Sequence, residues 1–113
     1  MKLQTMKLVS AVGMPANVLG YTYIIDALEI IHQDHMAVCG IGKSIYEPIA
    51  ERRKTTWPKV ERCIRHAIEK AHQSQPEAYR KFFSRKRPVN SMFLATLGEH
   101  LRMQELERAL VAG

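Results

Sequence analysis

Apolar residues recur at every third or fourth position along most of the chain, the pattern of amphipathic α-helices. The β-branched residues are scattered and no alternating run is bounded by hairpin turns, so no strand is predicted. We therefore predict an all-α fold of about six helices in a single domain, residues 1–113. The helical segments cover about residues 3–12, 21–34, 35–39, 43–54, 57–73, 77–83 and 90–110. The glycines at 40 and 42 predict either a break or a kink there.

The most regular pattern is a helix from Trp57 to about Gln73. One face carries an apolar stripe, and the opposite face is polar at 100° per residue. The stripe consists of Val60, Cys63, Ile64, Ala67, Ile68 and Ala71, and the polar face consists of Pro58, Glu61, Arg62, Arg65, His66 and Glu69. The segment 43–54 precedes this helix and is separated from it by a short turn, an arrangement typical of a helix-turn-helix.

The polar face has the side chains that read bases in the major groove. Arginine can donate two parallel hydrogen bonds to guanine, which favours Arg62 and Arg65 as readers, and Glu61 can accept from cytosine. A solvated face with an Arg65–Glu69 surface pair explains the same residues. The sequence leaves both interpretations open.

The charge is concentrated in the second half of the chain. Of the 113 residues, with a formal net charge of +6, residues 1–50 hold three basic and four acidic side chains, and residues 51–113 hold the other 14 and 7. The second half thus carries +7, which favours nucleic acid as a partner through counterion release. An accidentally basic surface is the alternative. Arg52, Arg53 and Lys54 end the segment before the turn, where cations suit either a DNA backbone or the helix dipole.

Cysteine usage and hydropathy restrict the class of protein. Cys39 and Cys63 are too few for a disulfide framework, and no segment approaches the ~20 apolar residues of a membrane span. We expect a cytoplasmic protein without membrane association.

An enzyme is not predicted, and neither a cofactor nor a metal is expected. His32, His35 and Cys39 are spaced to share a helix face as metal ligands, but a fourth ligand has no clear source. Cys63 lies in the apolar stripe and is expected to pack as a small hydrophobe rather than act as a nucleophile.

Several segments resemble the C-terminal DNA-binding domain of the sporulation initiation response regulator of endospore-forming bacteria. The most specific is residues 55–69, with weaker likenesses at 12–16, 20–23, 43–50 and 90–91. The resemblance implies a six-helix helix-turn-helix domain that binds short promoter boxes, often in tandem. Contact with an RNA polymerase sigma factor and a homodimer on DNA are further partners it allows. The family's regulator also has a phosphoacceptor receiver domain, which we do not expect within residues 1–113.

The resemblance also implies roles for individual residues. Glu61, Arg62 and Arg65 match base-contacting positions, and Lys59 and His66 lie beside the backbone. Together with residues placed by charge and position, the expected backbone contacts are Arg52, Arg53, Lys54, Thr56, Lys59, His66, Arg85, Lys86 and Arg87. The basic run 80–87 departs from the family pattern. The alternative function is a protein-interaction module of the same fold, which exposed Tyr46, Trp57 or Met92 would favour.

Overall fold

The structure, a computed structural model, describes residues 2–112, and that part of the chain is helical without strands. This confirms the predicted all-α class. The α-helices are α1 (Lys2–Ala11), α2 (Leu19–Gln33), α3 (Glu47–Arg52), α4 (Trp57–Ser74), α5 (Glu77–Phe82) and α6 (Asn90–Ala112). Helix α4 agrees with its predicted span to within one residue, because its apolar stripe is regular over the whole length.

The chain between α2 and α3 turns at the extended Asp34 and then changes its winding without a further break. A 3₁₀ helix, His35–Gly40, leads through Ile41 into a π-helical turn, Gly42–Tyr46, which continues directly into α3. The expected single α-helix over 43–54 is therefore wrong. Pro48 supplies a physical reason, since proline lacks an N–H and its ring crowds the carbonyl four residues earlier. The wider π winding just before it accommodates that crowding.

Helix α2 lies at the centre and packs most extensively against α4 and α6. The predicted stripe of α4 is buried with one exception: Cys63 is half-buried at its edge. Helix α6 buries Phe93, Leu94, Leu97 and Leu101, which recur at helical spacing on one face. The stripes of the two amphipathic helices thus meet the apolar α2 to form the core.

Gly20 sets how closely α2 approaches α4. A Cβ atom built on Gly20 would overlap the backbone carbonyl of Cys63 and lie 2.7 Å from the Ala67 Cβ. Real Cβ atoms essentially never come this close to another heavy atom. The two helices can therefore cross here only because the residue has no side chain.

We predict that Gly20→Ala destabilises the protein by about 1 to 3 kcal/mol or more, because one helix must shift against the other. Gly42→Ala is the matched control, since nothing lies within 4 Å of its added Cβ. Alanine there is expected to be neutral or to stabilise by up to about 1 kcal/mol. Denaturant unfolding measures both, and equal stability of the two variants would contradict the close approach.

Candidate nucleic-acid interface

A hydrogen-bonded turn joins α3 to α4. The Lys54 N–H donates to the Glu51 carbonyl at 3.3 Å, and the Thr55 N–H donates to the Ala50 carbonyl at 2.9 Å. Lys54 is left-handed, with φ of 55°. This is a Schellman motif, with a lysine at the position where glycine is usual. Helix α4 begins after the extended Thr56, so α3, the turn and α4 have the connectivity of a helix-turn-helix.

An ion pair between a buried carboxylate and an arginine of the turn fixes this turn to α2. Asp26 projects from α2 with its side chain only 3% exposed. Its carboxylate oxygens accept hydrogen bonds from Arg53 Nε and Nη2, both at 2.8 Å. Arg52 Nη1 lies 3.8 Å from the same carboxylate. Asp26, through this hydrogen bond, raises the pKa of Arg53. Arg53 therefore has an internal partner that the sequence pattern did not predict.

The outward face of α4 presents the predicted readers. Arg62, Arg65, His66 and Lys59 are exposed, and Glu61 is half-buried. Arg65 Nε lies 3.2 Å from Glu61 Oε1, so Arg65 pairs with Glu61 and not with Glu69 as the solvated-face alternative supposed. Within residues 2–112 Arg62 makes no ion pair or side-chain hydrogen bond. Its guanidinium is free to meet a ligand.

The basic loop between α5 and α6 lies against the same face. The Arg87 guanidinium donates a hydrogen bond to the Glu69 carboxylate, and Arg85 and Lys86 are exposed. Arg65 and Arg87 both line a groove of about 290 Å³ between α4 and the start of α6. The structure thus brings Arg87 of the loop to the surface that carries the α4 cations.

Asn90 ties three elements together beneath this surface. Its Nδ2 donates to the Tyr46 hydroxyl at 3.0 Å and to the Glu61 carbonyl at 3.1 Å. Burial raises the pKa of Tyr46, and the hydrogen bond from Asn90 partly offsets that rise. The Tyr46 ring is parallel to Trp57, with centroids 6.2 Å apart. The Asn90 amide thus joins the start of α6 to α4 and to the π turn.

The other candidate site, a metal site of His32, His35 and Cys39, does not form in the described residues. His32 Nδ1 lies 3.2 Å from Glu105, and α2 ends before His35, so the histidines and Cys39 do not share one helix. Within residues 2–112 no three His, Cys, Asp or Glu side chains are grouped as a metal site. No helix in this part of the chain is long and apolar enough to cross a membrane.

Most of the chain matches a known protein family. A family model described as the sporulation initiation factor Spo0A C terminal matches residues 5–101. The match includes the turn, all of α4 and the basic loop. It leaves the last eleven described residues of α6, 102–112, outside.

The Asp26 pair predicts unequal effects for two neighbouring arginines. Arg53→Ala should destabilise the protein by about 2 to 4 kcal/mol, because it leaves a buried carboxylate with only a distant partner. Arg52→Ala is the control and should cost less than about 1 kcal/mol, since Arg52 is 60% exposed. Denaturant unfolding measures both, and a greater destabilisation by Arg52→Ala would mean that Asp26 relies on the other arginine.

The left-handed turn residue gives a second prediction. Lys54→Gly should stabilise the protein by about 1 kcal/mol relative to Lys54→Ala, because a left-handed conformation strains residues with a Cβ. Thermal unfolding compares the two variants, which remove the same charge. A lower melting temperature for the glycine variant would contradict the strained turn.

Proposed function

The chain belongs to the family of the sporulation initiation factor Spo0A C-terminal domain, and on that premise we propose that it reads specific double-stranded DNA sequences with α4 in the major groove. The family comprises DNA-binding domains of transcription factors and is not a family of enzymes. The observation that carries the proposal is the outward face of α4, which holds arginines on a helix fixed from behind by the core.

Arg62, Arg65 and Glu61 are the proposed base readers. Arg62 is unpaired within the described part of the chain, so it can donate both hydrogen bonds to a guanine. Arg65 must leave or share Glu61 to do the same, at small cost because an exposed ion pair contributes only about 0 to 1 kcal/mol. In the structure Glu61 pairs with Arg65 on the outward face of α4.

The remaining cations are proposed to hold the DNA backbone. Lys54 and Thr56 lie in the turn before α4, and Lys59 and His66 flank Arg62 on the side away from Arg65. The other proposed phosphate contacts are Arg52, Arg85, Lys86 and Arg87. We assign Arg53 to Asp26 in place of a phosphate, since both carboxylate oxygens engage its guanidinium.

One experiment distinguishes the residues proposed to read bases from those proposed to contact the DNA backbone. Arg62→Ala or Arg65→Ala should weaken binding to a preferred site by about 1 to 3 kcal/mol and relax sequence choice. Arg85→Gln combined with Lys86→Gln should weaken all sequences alike and reduce the salt slope, by about 0.9 for each phosphate that is no longer neutralised. Binding to a site selected from random duplexes and to a scrambled duplex is measured across a salt series.

Gln73→Ala is the control for this experiment. Gln73 is exposed on the outward side of α4, about two helical turns beyond Arg65, and is assigned no contact with DNA. Its variant should bind both duplexes as the parent does. If Arg65→Ala lowered binding to both duplexes equally and the loop variant relaxed sequence choice instead, α4 would not be the reader.

Two further partners, an RNA polymerase sigma factor and a second copy on DNA, stay predictions from the resemblance. The protein-interaction alternative depended on exposed aromatic or methionine side chains. Trp57 and Met92 are about half exposed, whereas Tyr46 is buried. The free Arg62 and the cations around it favour DNA over that alternative.

A further inference from the structure

Trp57 is a large apolar side chain at the edge of the charged outward face of α4. It is the first residue of α4, it is 49% exposed, and it is the single tryptophan of the chain. Exposure alone marks no site, since single apolar residues are common on protein surfaces. In a helix-turn-helix, however, the N-terminal residues of the second helix contact the edges of bases. Trp57 therefore lies at the end of α4 that would contact bases first.

The Trp57 ring is stacked on a buried neighbour. Its plane lies within 2° of the plane of Tyr46, and the stack leaves about half of the tryptophan exposed. Tyr46 is only 5% exposed, and its hydroxyl accepts the hydrogen bond from Asn90. A tryptophan offers a large rigid contact area at a low cost in conformational entropy. The indole is thus oriented before a ligand binds.

Trp57 lies on the same flank of α4 as two of the proposed base readers. At 100° per residue it projects about 40° from Glu61 and about 80° from Arg65, whereas Arg62 is about 140° away. A helix with its side chains is about 10–12 Å across, and the major groove is about 12 Å wide. A side chain on the flank of the first turn therefore contacts either a base edge or the wall of the groove.

We propose that Trp57 reads a thymine, through contact between the indole and the C5-methyl group of the base. This inference rests on the proposed function and adds one residue and one base type to it. Base edges in the major groove present hydrogen-bond donors and acceptors, and thymine alone adds an apolar methyl group. The exposed half of the indole matches that group, because the contact removes apolar surface from water. Contact with a deoxyribose instead would give no base preference.

Replacement of thymine by deoxyuridine is the direct test, because it removes only the methyl group. A box is selected from random duplexes, and each thymine on either strand is then replaced in turn. One replacement should weaken binding of the parent protein about fourfold, the effect of losing the burial of about one methyl or methylene group. Trp57→Ala should bind the unmodified box more weakly than the parent and should be insensitive to that replacement.

Two further variants separate direct contact from a structural role. Trp57→Phe keeps an aromatic ring next to Tyr46 and should keep most of the response to deoxyuridine, since phenylalanine also contacts thymine methyl groups. Met103→Ala is the matched control: Met103 is 52% exposed and lies about 20 Å along α6 from Asn90. Its variant should respond to deoxyuridine as the parent does. A purely structural role of Trp57 would instead weaken binding to the thymine and deoxyuridine duplexes by the same factor.

The single tryptophan also gives a readout that needs no variant. Its fluorescence should change in intensity or wavelength when the parent is saturated with the selected duplex, because the exposed half of the indole becomes covered. Unchanged emission at saturation would rule out the contact.

The outcomes distinguish this inference from the proposed function. Equal binding of the parent to the selected and scrambled duplexes would overturn both DNA reading and the thymine contact. Sequence preference without a response to deoxyuridine at any thymine would overturn the thymine contact alone. The same conclusion would follow from a selected box of G·C pairs only, or from a response that Trp57→Ala retains.

Discussion

The buried carboxylate of Asp26 is the constraint on which the geometry of the interface depends. A charge in the apolar centre of α2 is costly unless it is paired and hydrogen-bonded, and Arg53 satisfies both requirements. Because Arg53 is the last residue before the left-handed Lys54, the pair fixes the point at which the chain turns into α4. Gly20 then brings α4 against the same helix further along. Helix α2 thereby positions both the turn and the middle of α4.

The outward surface is stabilised by weaker contacts than the Asp26–Arg53 pair. Glu61 holds Arg65, Glu69 holds Arg87, and Asn90 fastens the backbone of α4 to the start of α6. The first two are exposed pairs that a ligand can displace at little cost. Asn90 is different, because its partners are partly buried and include a main-chain carbonyl. The surface therefore combines a fixed backbone with replaceable side-chain partners.

Most of the helices and their buried faces could be predicted from the sequence, because they depend on the periodicity of apolar residues. The stripe of α4 and the inward residues of α6 follow directly from helical spacing. The amide contacts of Asn90 could not be predicted, since they depend on elements distant in the chain, whereas the π turn had a local signal in Pro48. Asp26 did leave a signal, as a lone carboxylate in the most apolar helix, but only the fold shows that Arg53 meets it. Arg65 had acidic residues four positions away on both sides, and spacing alone could not choose between them.

The two carboxylates on the outward face of α4 affect how fast a DNA-reading domain would search a duplex for its preferred sequence. Glu61 and Glu69 lie among cations, so Arg65 and Arg87 can meet phosphate only when they are drawn away from these acidic partners. Non-cognate duplex offers no base contact to compensate for that exchange, and its hold on the face is correspondingly weaker. If α4 reads DNA as proposed, acidic residues within this basic surface shorten its residence on wrong sequences and do not strengthen its binding to the right one.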